Sequence, residues 1–404
     1  MQLQRACHDT LPWLISFSLG EGSDSAAFLQ KYIGIVLSSE LIFPHRKLAM
    51  IRNAFEVALF YAGMWAILGW QVSASDIWRV EGYPKVVAQE IQFTNGDAHL
   101  TGTVYLPESG DHLPAVVALH GASEPTRKAA VYRHLREGLP AMGVAVLVYD
   151  RRGTGASSGS LRNIDYETLA DDAIAGQRAL GDLPRIDPKK IGFWGFSQGG
   201  WLALLAASRS TDTAFAISVS APLVTPEQQM QFATTNLLTV RGYSQENVKQ
   251  MLETRKAWTD YLKGKGSRQT AIDALQKAEK QAWFELSFMP KASKLTTDPE
   301  HNSWRKEMDE DAVAAVRNVK LPLLFIYGGS DPWIPVGESV QQLRSLINQH
   351  HNIQYAVVPN ASHEMMYVEH DTMAFDEKTT NEIAPQAPEY FTLMASWLCR
   401  QNKK

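Results

Sequence analysis

Lys190-Ile191-Gly192-Phe193-Trp194-Gly195-Phe196-Ser197-Gln198-Gly199-Gly200-Trp201-Leu202-Ala203-Leu204-Leu205-Ala206-Ala207 is the stretch that decides the fold. Its first part, Ile191 to Phe196, is the short apolar run of a strand covered on both faces. Its last part, from Trp201, has the composition of a helix. Between them lies a Gly-x-Ser-x-Gly pentapeptide, Gly195 to Gly199. A strand, a sharp turn and a helix are the setting in which a serine hydroxyl is presented as a nucleophile. The pentapeptide alone arises by chance in roughly one chain in ten of this length, so its surroundings must carry the reading.

Outward from this stretch, strands and helices alternate. Upstream, Val86 to Phe93 and His99 to Leu106 read as two strands, with the hairpin signal Asn95-Gly96 between them. Ala115 to Leu119 and Ala145 to Tyr149 are apolar strand runs. Lys128 to Met142 and Tyr166 to Leu180 have helical spacing. Downstream, Ala214 to Val219 is another strand. Residues 223–318 then carry Gln, Lys, Glu, Ala and Trp without a clear strand, which predicts a helical insertion. Strands resume at Leu321 to Tyr327 and Ile353 to Val358, with a helix from Val336 to Asn348 between them and a final helix near Tyr390 to Cys399. This is the pattern of an α/β protein: a mostly parallel central sheet with helices on both faces and a helical insertion after the sixth strand.

A serine hydroxyl needs a base, usually histidine, and the histidine needs an acid that fixes its tautomer. In open α/β sheets such groups lie on loops past the carboxyl ends of strands. The strand ending at Tyr327 is followed by Gly328-Gly329-Ser330-Asp331-Pro332-Trp333-Ile334-Pro335, in which Asp331 is the sole carboxylate. The strand ending at Val358 is followed by Pro359-Asn360-Ala361-Ser362-His363-Glu364, in which His363 is the sole histidine. Glu364, Glu369 and Asp371 are nearby acids, but none follows a strand where the acid is expected. The chain order is Ser197, Asp331, His363.

These three motifs in this order resemble the α/β-hydrolase family from about residue 85 to the C-terminus. The resemblance implies Ser197 as nucleophile, His363 as base and Asp331 as its orienting acid. It also implies an oxyanion hole of two backbone N–H groups. One belongs to Gln198, the residue after the nucleophile. The other comes from the loop His120-Gly121-Ala122-Ser123, similar to the family's His-Gly start, and is assigned to Ala122, with Gly121 one residue away. Asp150-Arg151-Arg152-Gly153-Thr154-Gly155 resembles a turn of the same family. Its arginines read either as anchors for a substrate carboxylate or, preferably, as a salt-bridged turn under the site.

The 404 residues, 45% hydrophobic and 20% charged with net charge −4, exclude a basic nucleic-acid binder and a disordered acidic chain. Two cysteines, Cys7 and Cys399, near opposite ends, have no zinc spacing and leave a structural disulfide as the lesser alternative. Gly153-x-Gly155-x-x-x-Gly159 follows a strand, but helical spacing begins only near Tyr166, so no dinucleotide site is read. His363-Glu364 lacks the second histidine of a zinc helix because position 367 is Tyr367, and His350-His351 read as surface histidines. Trp258, Trp283 and Trp304 are expected to pack the insertion, with a substrate pocket as the lesser alternative.

The N-terminal part reads differently. Val57 to Trp70 is an almost charge-free apolar core, preceded by His45-Arg46-Lys47 and Arg52 and followed by Val72-Ser73-Ala74. That is the pattern of a secretory signal peptide over about 50–74, with translation from Met50 or an annexed upstream extension, and hence export. An amphipathic or buried N-terminal helix, leaving a cytoplasmic protein, and a single-pass anchor are the alternatives; the core is short for a span of about 20 residues. The expected organisation is an N-terminal extension over 1–74, core over 75–222, a helical cap over 223–318 and core over 319–404. The expected activity is hydrolysis of carboxylic esters through an acyl-enzyme, without metal or organic cofactor, on a small ester or short peptide. A peptidase or amidase, an acyltransferase and a non-catalytic binding protein are the alternatives.

Overall fold

The computed structural model describes residues 85–122, 126–162, 164–317, 319–348, 352–368 and 387–401. The signal-peptide reading at 50–74, the stretch 1–49, the pairing of Cys7, and the readings of His350, His351, Glu369 and Asp371 lie outside the described residues. Among the described residues eight strands are formed: β1 (Val86–Asn95), β2 (Ala98–Pro107), β3 (Leu113–Leu119), β4 (Ala145–Tyr149), β5 (Ile186–Phe196), β6 (Ala216–Val219), β7 (Leu323–Gly328) and β8 (Ile353–Val358). They make one sheet in the order β1-β2-β4-β3-β5-β6-β7-β8. β1 pairs antiparallel with β2, and β2 with β4; all pairings from β4 through β8 are parallel. The carboxyl ends of β3 to β8 therefore share one edge of the sheet.

β3, β4, β6 and β7 are buried along their whole length, and β5 from Ile191 to Phe196, because helices cover both faces. Ala115, Val117 and Leu119 of β3, Leu147 of β4, Phe193 of β5 and Phe325 of β7 point to one side. They meet α2 (Tyr166–Gly181), α3 (Gln198–Arg209) and α9 (Val336–Ile347) there. Val116, Val146, Trp194, Ile217 and Ile326 point to the other, against α1 (Arg133–Ala141) and α10 (Pro388–Gln401). This alternation is the period-two geometry of a strand applied to a sheet with two apolar faces.

Between β6 and β7 the described residues contain no strand. They form α4 (Pro226–Val240), α5 (Gln245–Leu262), α6 (Arg268–Ala278), α7 (Ser303–Glu307) and α8 (Ala312–Arg317), with short 3-10 turns. The starts of α4 and α5 are written in the sequence as reciprocal caps, Thr225 with Gln228 and Ser244 with Asn247. Leu238, Met251, Leu262, Leu275, Trp283 and Met308 make a core of the insertion's own. Trp258 stacks on Trp304 with centroids 6.2 Å apart, and Trp258 and Trp283 are buried in that core, so packing accounts for these tryptophans. Ala312, Val313 and Val316 of α8 instead join the core beside the sheet.

Two elements start elsewhere than the sequence pattern predicts. Helical spacing begins at Lys128, but α1 starts at Arg133 after a 3-10 turn, Ala130–Tyr132. The chain before it is held out of a helix because Arg127 gives its backbone N–H and its guanidinium to Asp150. β5 begins five residues earlier than its apolar run, at Ile186, where Leu113 pairs with it beyond a register shift. Among the described residues no helix is long and apolar enough to cross a membrane.

Candidate active site

Ser197 stands between the end of β5 and the start of α3, with φ 54 and ψ −122. This is costly backbone geometry for a residue with a Cβ, of order 1–3 kcal/mol. The surroundings enforce it. The Ser197 N–H donates to Val219 O of the next strand at 2.8 Å, and Gly200 N–H closes onto Ser197 O at 2.8 Å. A Cβ on Gly195 would overlap the Gly199 carbonyl, and one on Gly199 would overlap the Leu119 carbonyl and lie 2.7 Å from His120 O. Only glycine lets strand, helix and the β3 loop approach this closely.

β7 and β8 are in register to their ends, Gly328 opposite Val358. Gly329 N–H to Val358 O (2.8 Å) and Ser330 N–H to Ala361 O (3.0 Å) continue that pairing into the loops. Asp331 and His363 are thereby brought together, His363 Nδ1 lying 2.8 Å from Asp331 Oδ2. The other oxygen, Asp331 Oδ1, accepts from the backbone N–H of Trp333 (2.8 Å) and Ile334 (3.3 Å). The carboxylate is thus fully engaged and its side chain fully buried. Ser220, at the end of β6, donates its hydroxyl to His363 O at 2.6 Å. The His363 ring lies against Phe196, the residue before Ser197, with centroids 5.0 Å apart. With Nδ1 turned to Asp331, Nε2 is the ring nitrogen on the side away from the acid. Glu364, the competing acid, accepts from Ser362 Oγ at 3.2 Å instead. Burial holds its carboxyl above the usual range, against the opposing effect of His363.

The loop after β3 is fixed by its histidine. His120 Nε2 meets Tyr149 O, and burial, outweighing that bond, lowers the imidazole to about 3. It is neutral at ordinary pH, with the Nε2 proton directed at the carbonyl. Gly121 N–H donates to the Tyr132 hydroxyl at 3.1 Å. Ala122, which is exposed, makes no hydrogen bond through its N–H among the described residues. Of the two candidate donors Gly121 and Ala122, the Gly121 proton is thus already used. Gln198 is the first residue of α3, so its N–H has no intrahelical acceptor and carries the positive end of the helix dipole.

The turn after β4 is built around its carboxylate. Asp150 accepts from Arg127 N–H, Arg127 Nη1 and Ala156 N–H, and a Cβ on Gly155 would overlap it. Gly155 thus packs on a protein carboxylate rather than a phosphate. Arg152 makes a two-pronged bond to Asp172, 2.7 and 2.5 Å, both side chains buried. Arg151 donates to Gln198 Oε1 at 2.9 Å and to His120 O at 2.7 Å. Sequence reasoning missed this link, and also Tyr132, Ser220 and Tyr166. Ser220 alone had a signal, since it directly follows a strand.

A buried imidazole paired to a carboxylate, near a strained serine and two backbone donors without an acceptor among the described residues, can take up a proton and hold negative charge on a nearby oxygen. The family model for serine aminopeptidase S33 matches residues 110–371, more than half of the chain. The chain is similar to the polyketide transferase claH of Penicillium crustosum, 41% identical over 83 residues, covering 20% of this chain and 27% of that protein. It is similar to the thiohydrolase aneE of Aspergillus aculeatus, 34% identical over 137 residues, 33% of this chain and 42% of that protein. The chain thus spans less than half the length of either relative. Among solved structures, the Pyrococcus furiosus esterase Pf2001 superposes with a TM-score of 0.51 at 19% identity, covering 80% of this chain and 96% of that one, a likeness of fold. With its eight-stranded, mostly parallel sheet and this family match, the chain belongs to the serine aminopeptidase S33 family of α/β-hydrolases.

Proposed function

We propose that the protein is a serine hydrolase that cleaves carboxylic esters through an acyl-enzyme on Ser197. The observation that carries this reading is the Asp331–His363 pair, 2.8 Å apart, held against the residue that precedes the strained Ser197. In the first step His363 Nε2 takes the Ser197 hydroxyl proton as Oγ attacks the ester carbonyl. The resulting oxyanion lies between the N–H groups of Gln198 and Ala122. Collapse expels the alcohol, which receives the proton from His363. Water then repeats the sequence and releases the acid. Asp331 keeps the proton of His363 on Nδ1 throughout and stabilises the imidazolium in both steps.

The helices between β6 and β7 act as a cap that shapes the substrate site. Contacts of α4 with the acid loop support this: Gln229 Nε2 donates to Trp333 O at 2.8 Å and Asn236 Nδ2 to Pro332 O at 3.1 Å. Phe288, which is 54% exposed, faces Trp333 with centroids 6.1 Å apart. Two aromatic rings next to the acid loop suit an apolar acyl group. Acyl transfer to an acceptor other than water is the second reading, favoured by the polyketide transferase claH among the relatives.

A panel of p-nitrophenyl esters of rising chain length, run beside aminoacyl anilides and with alcohol or thiol acceptors present, tests these readings. Ester cleavage with free acid as the main product is expected. Strong anilide cleavage with feeble ester cleavage would overturn the esterase reading, and acylated acceptor as the main product would replace it with transfer. Export is a separate proposal, resting on the segment at 50–74. Ser75 as the mature N-terminus is its expected outcome, and an intact Met1 start in the cytosol would sink it.

A further inference from the structure

Arg151 is 6% exposed, yet among the described residues no carboxylate stands within ion-pair distance of it. Glu307 and Asp172 act on its charge only from beyond ion-pair distance, so the guanidinium is buried without a carboxylate in direct contact, which is costly, and a structural turn has no need of it, since Arg152 already makes the buried pair with Asp172. The fork of Arg151 is instead spent on two acceptors from different parts of the site. Nη2 takes His120 O at 2.7 Å, two residues before Ala122. Nη1 takes Gln198 Oε1 at 2.9 Å, on the residue after Ser197. The far side of the Gln198 amide is held too, its Nε2 donating to the Tyr166 hydroxyl at 3.4 Å.

We propose that Arg151 is a positioning residue that sets the separation of the two oxyanion donors, the N–H groups of Gln198 and Ala122, by clamping the loop after β3 to the start of α3. The inference rests on the acyl-transfer reading of Ser197. The guanidinium suits this task because its donors form a rigid planar fork, whereas an ammonium is a point charge on a flexible stem. Its positive charge also lies behind the place where negative charge develops. The turn after β4 thus serves the reaction from beneath the site, without touching substrate.

The test compares Arg151→Met, Arg151→Lys and Gln198→Met with the unaltered protein. The readouts are kcat and KM for the best ester of the panel, the inhibition constant of an alkyl boronic acid that forms a tetrahedral adduct on serine, and thermal melting. A displaced donor costs about 100-fold when the shift is near 1 Å. Arg151→Met is therefore expected to lower kcat by 10- to 100-fold with KM within threefold, and to weaken the boronic acid by the same factor as kcat/KM. Lysine is expected to recover part of the loss. Gln198→Met removes one arm of the clamp at a partly exposed residue while keeping its backbone N–H, so it remains informative if Arg151→Met does not fold. It is expected to lower kcat at least fivefold, and the double variant to be no worse than Arg151→Met. An unchanged kcat in a folded Gln198→Met or Arg151→Met protein, a loss confined to KM, or losses that multiply in the double variant would each overturn the proposal. Ser197→Ala in the same assay separates the two failures, since turnover persisting there would sink the acyl-transfer reading itself. If no ester in the panel is turned over, the rate of fluorophosphonate labelling of Ser197, which draws on the same oxyanion donors, replaces kcat with the same expected ratios.

Discussion

Asp331→Asn is the substitution whose consequence the geometry specifies most fully. Asp331 Oδ2 faces His363 Nδ1 at 2.8 Å, and Oδ1 accepts from the N–H groups of Trp333 and Ile334. An asparagine of the same shape must keep its oxygen on those two backbone donors, because an amide NH2 there would oppose them. Its NH2 then points at His363 Nδ1, which is forced to accept. The imidazole proton moves to Nε2, the nitrogen that should receive the proton of Ser197. In a serine protease with the same three groups this change lowers kcat about 10⁴-fold, equivalent to about 5.5 kcal/mol of barrier. A loss of that order is expected here, with KM within threefold and melting within a few degrees, since the Oδ1 bonds survive. The assay is initial-rate kinetics on the best p-nitrophenyl ester, with the rate of fluorophosphonate labelling as a second readout. Glu364→Gln is the comparison, because Glu364 bonds Ser362 rather than His363, and it should stay within threefold of the unaltered protein. A loss below tenfold in Asp331→Asn, or an equal loss in Glu364→Gln, would refute the assignment of the acid.

Three further outcomes follow from the same contacts. Asp172→Ala strands the buried Arg152 guanidinium and removes the acceptor of Asn95; it should destabilise the fold by about 3–5 kcal/mol, and a urea midpoint that hardly moves would contradict the pair. Burial lowers His120 and His134 from 6.5 to about 3, against opposing backbone hydrogen bonds. The unfolded chain therefore takes up protons first as pH falls below 6.5, and stability declines from there towards pH 3. Urea titrations at pH 7.5 and 5.5 should differ by about 3 kcal/mol for the two residues together; equal stabilities would show that these imidazoles are not buried and neutral. Gly199→Ala forces a Cβ into the Leu119 carbonyl; it should cost about 1–3 kcal/mol of stability and about 100-fold in kcat by separating the elbow from the β3 loop, and a fully active variant would rule out the close approach.

The parts of the site that could be read from the sequence are those fixed by local rules. Ser197, Asp331 and His363 each follow a strand whose apolar run marks its own end, so their common edge was legible before any contact was known. The rest depends on contacts that no spacing encodes. That the Gly121 N–H is already taken depends on the Tyr132 hydroxyl, carried by another element. The task of Arg151 depends on acceptors 31 and 47 residues away, and its neighbour Arg152 has the same local appearance but ends on Asp172. The start of α1 was misplaced because Arg127 is drawn to Asp150, a tertiary contact that overrides helical spacing. In the insertion, helical composition was legible, whereas the split between its own core and the packing of α8 beside the sheet was not.

The central claim is that Ser197 is an acylated nucleophile, and mass spectrometry of the intact protein tests it most directly. After incubation with a fluorophosphonate, one adduct per chain is predicted, mapping to the peptide that holds Gly195 to Gly199. It should be absent in Ser197→Ala and slowed by several orders of magnitude in His363→Ala. An adduct that persists in Ser197→Ala, or an unaltered protein that stays unlabelled while hydrolysing esters, would contradict the account.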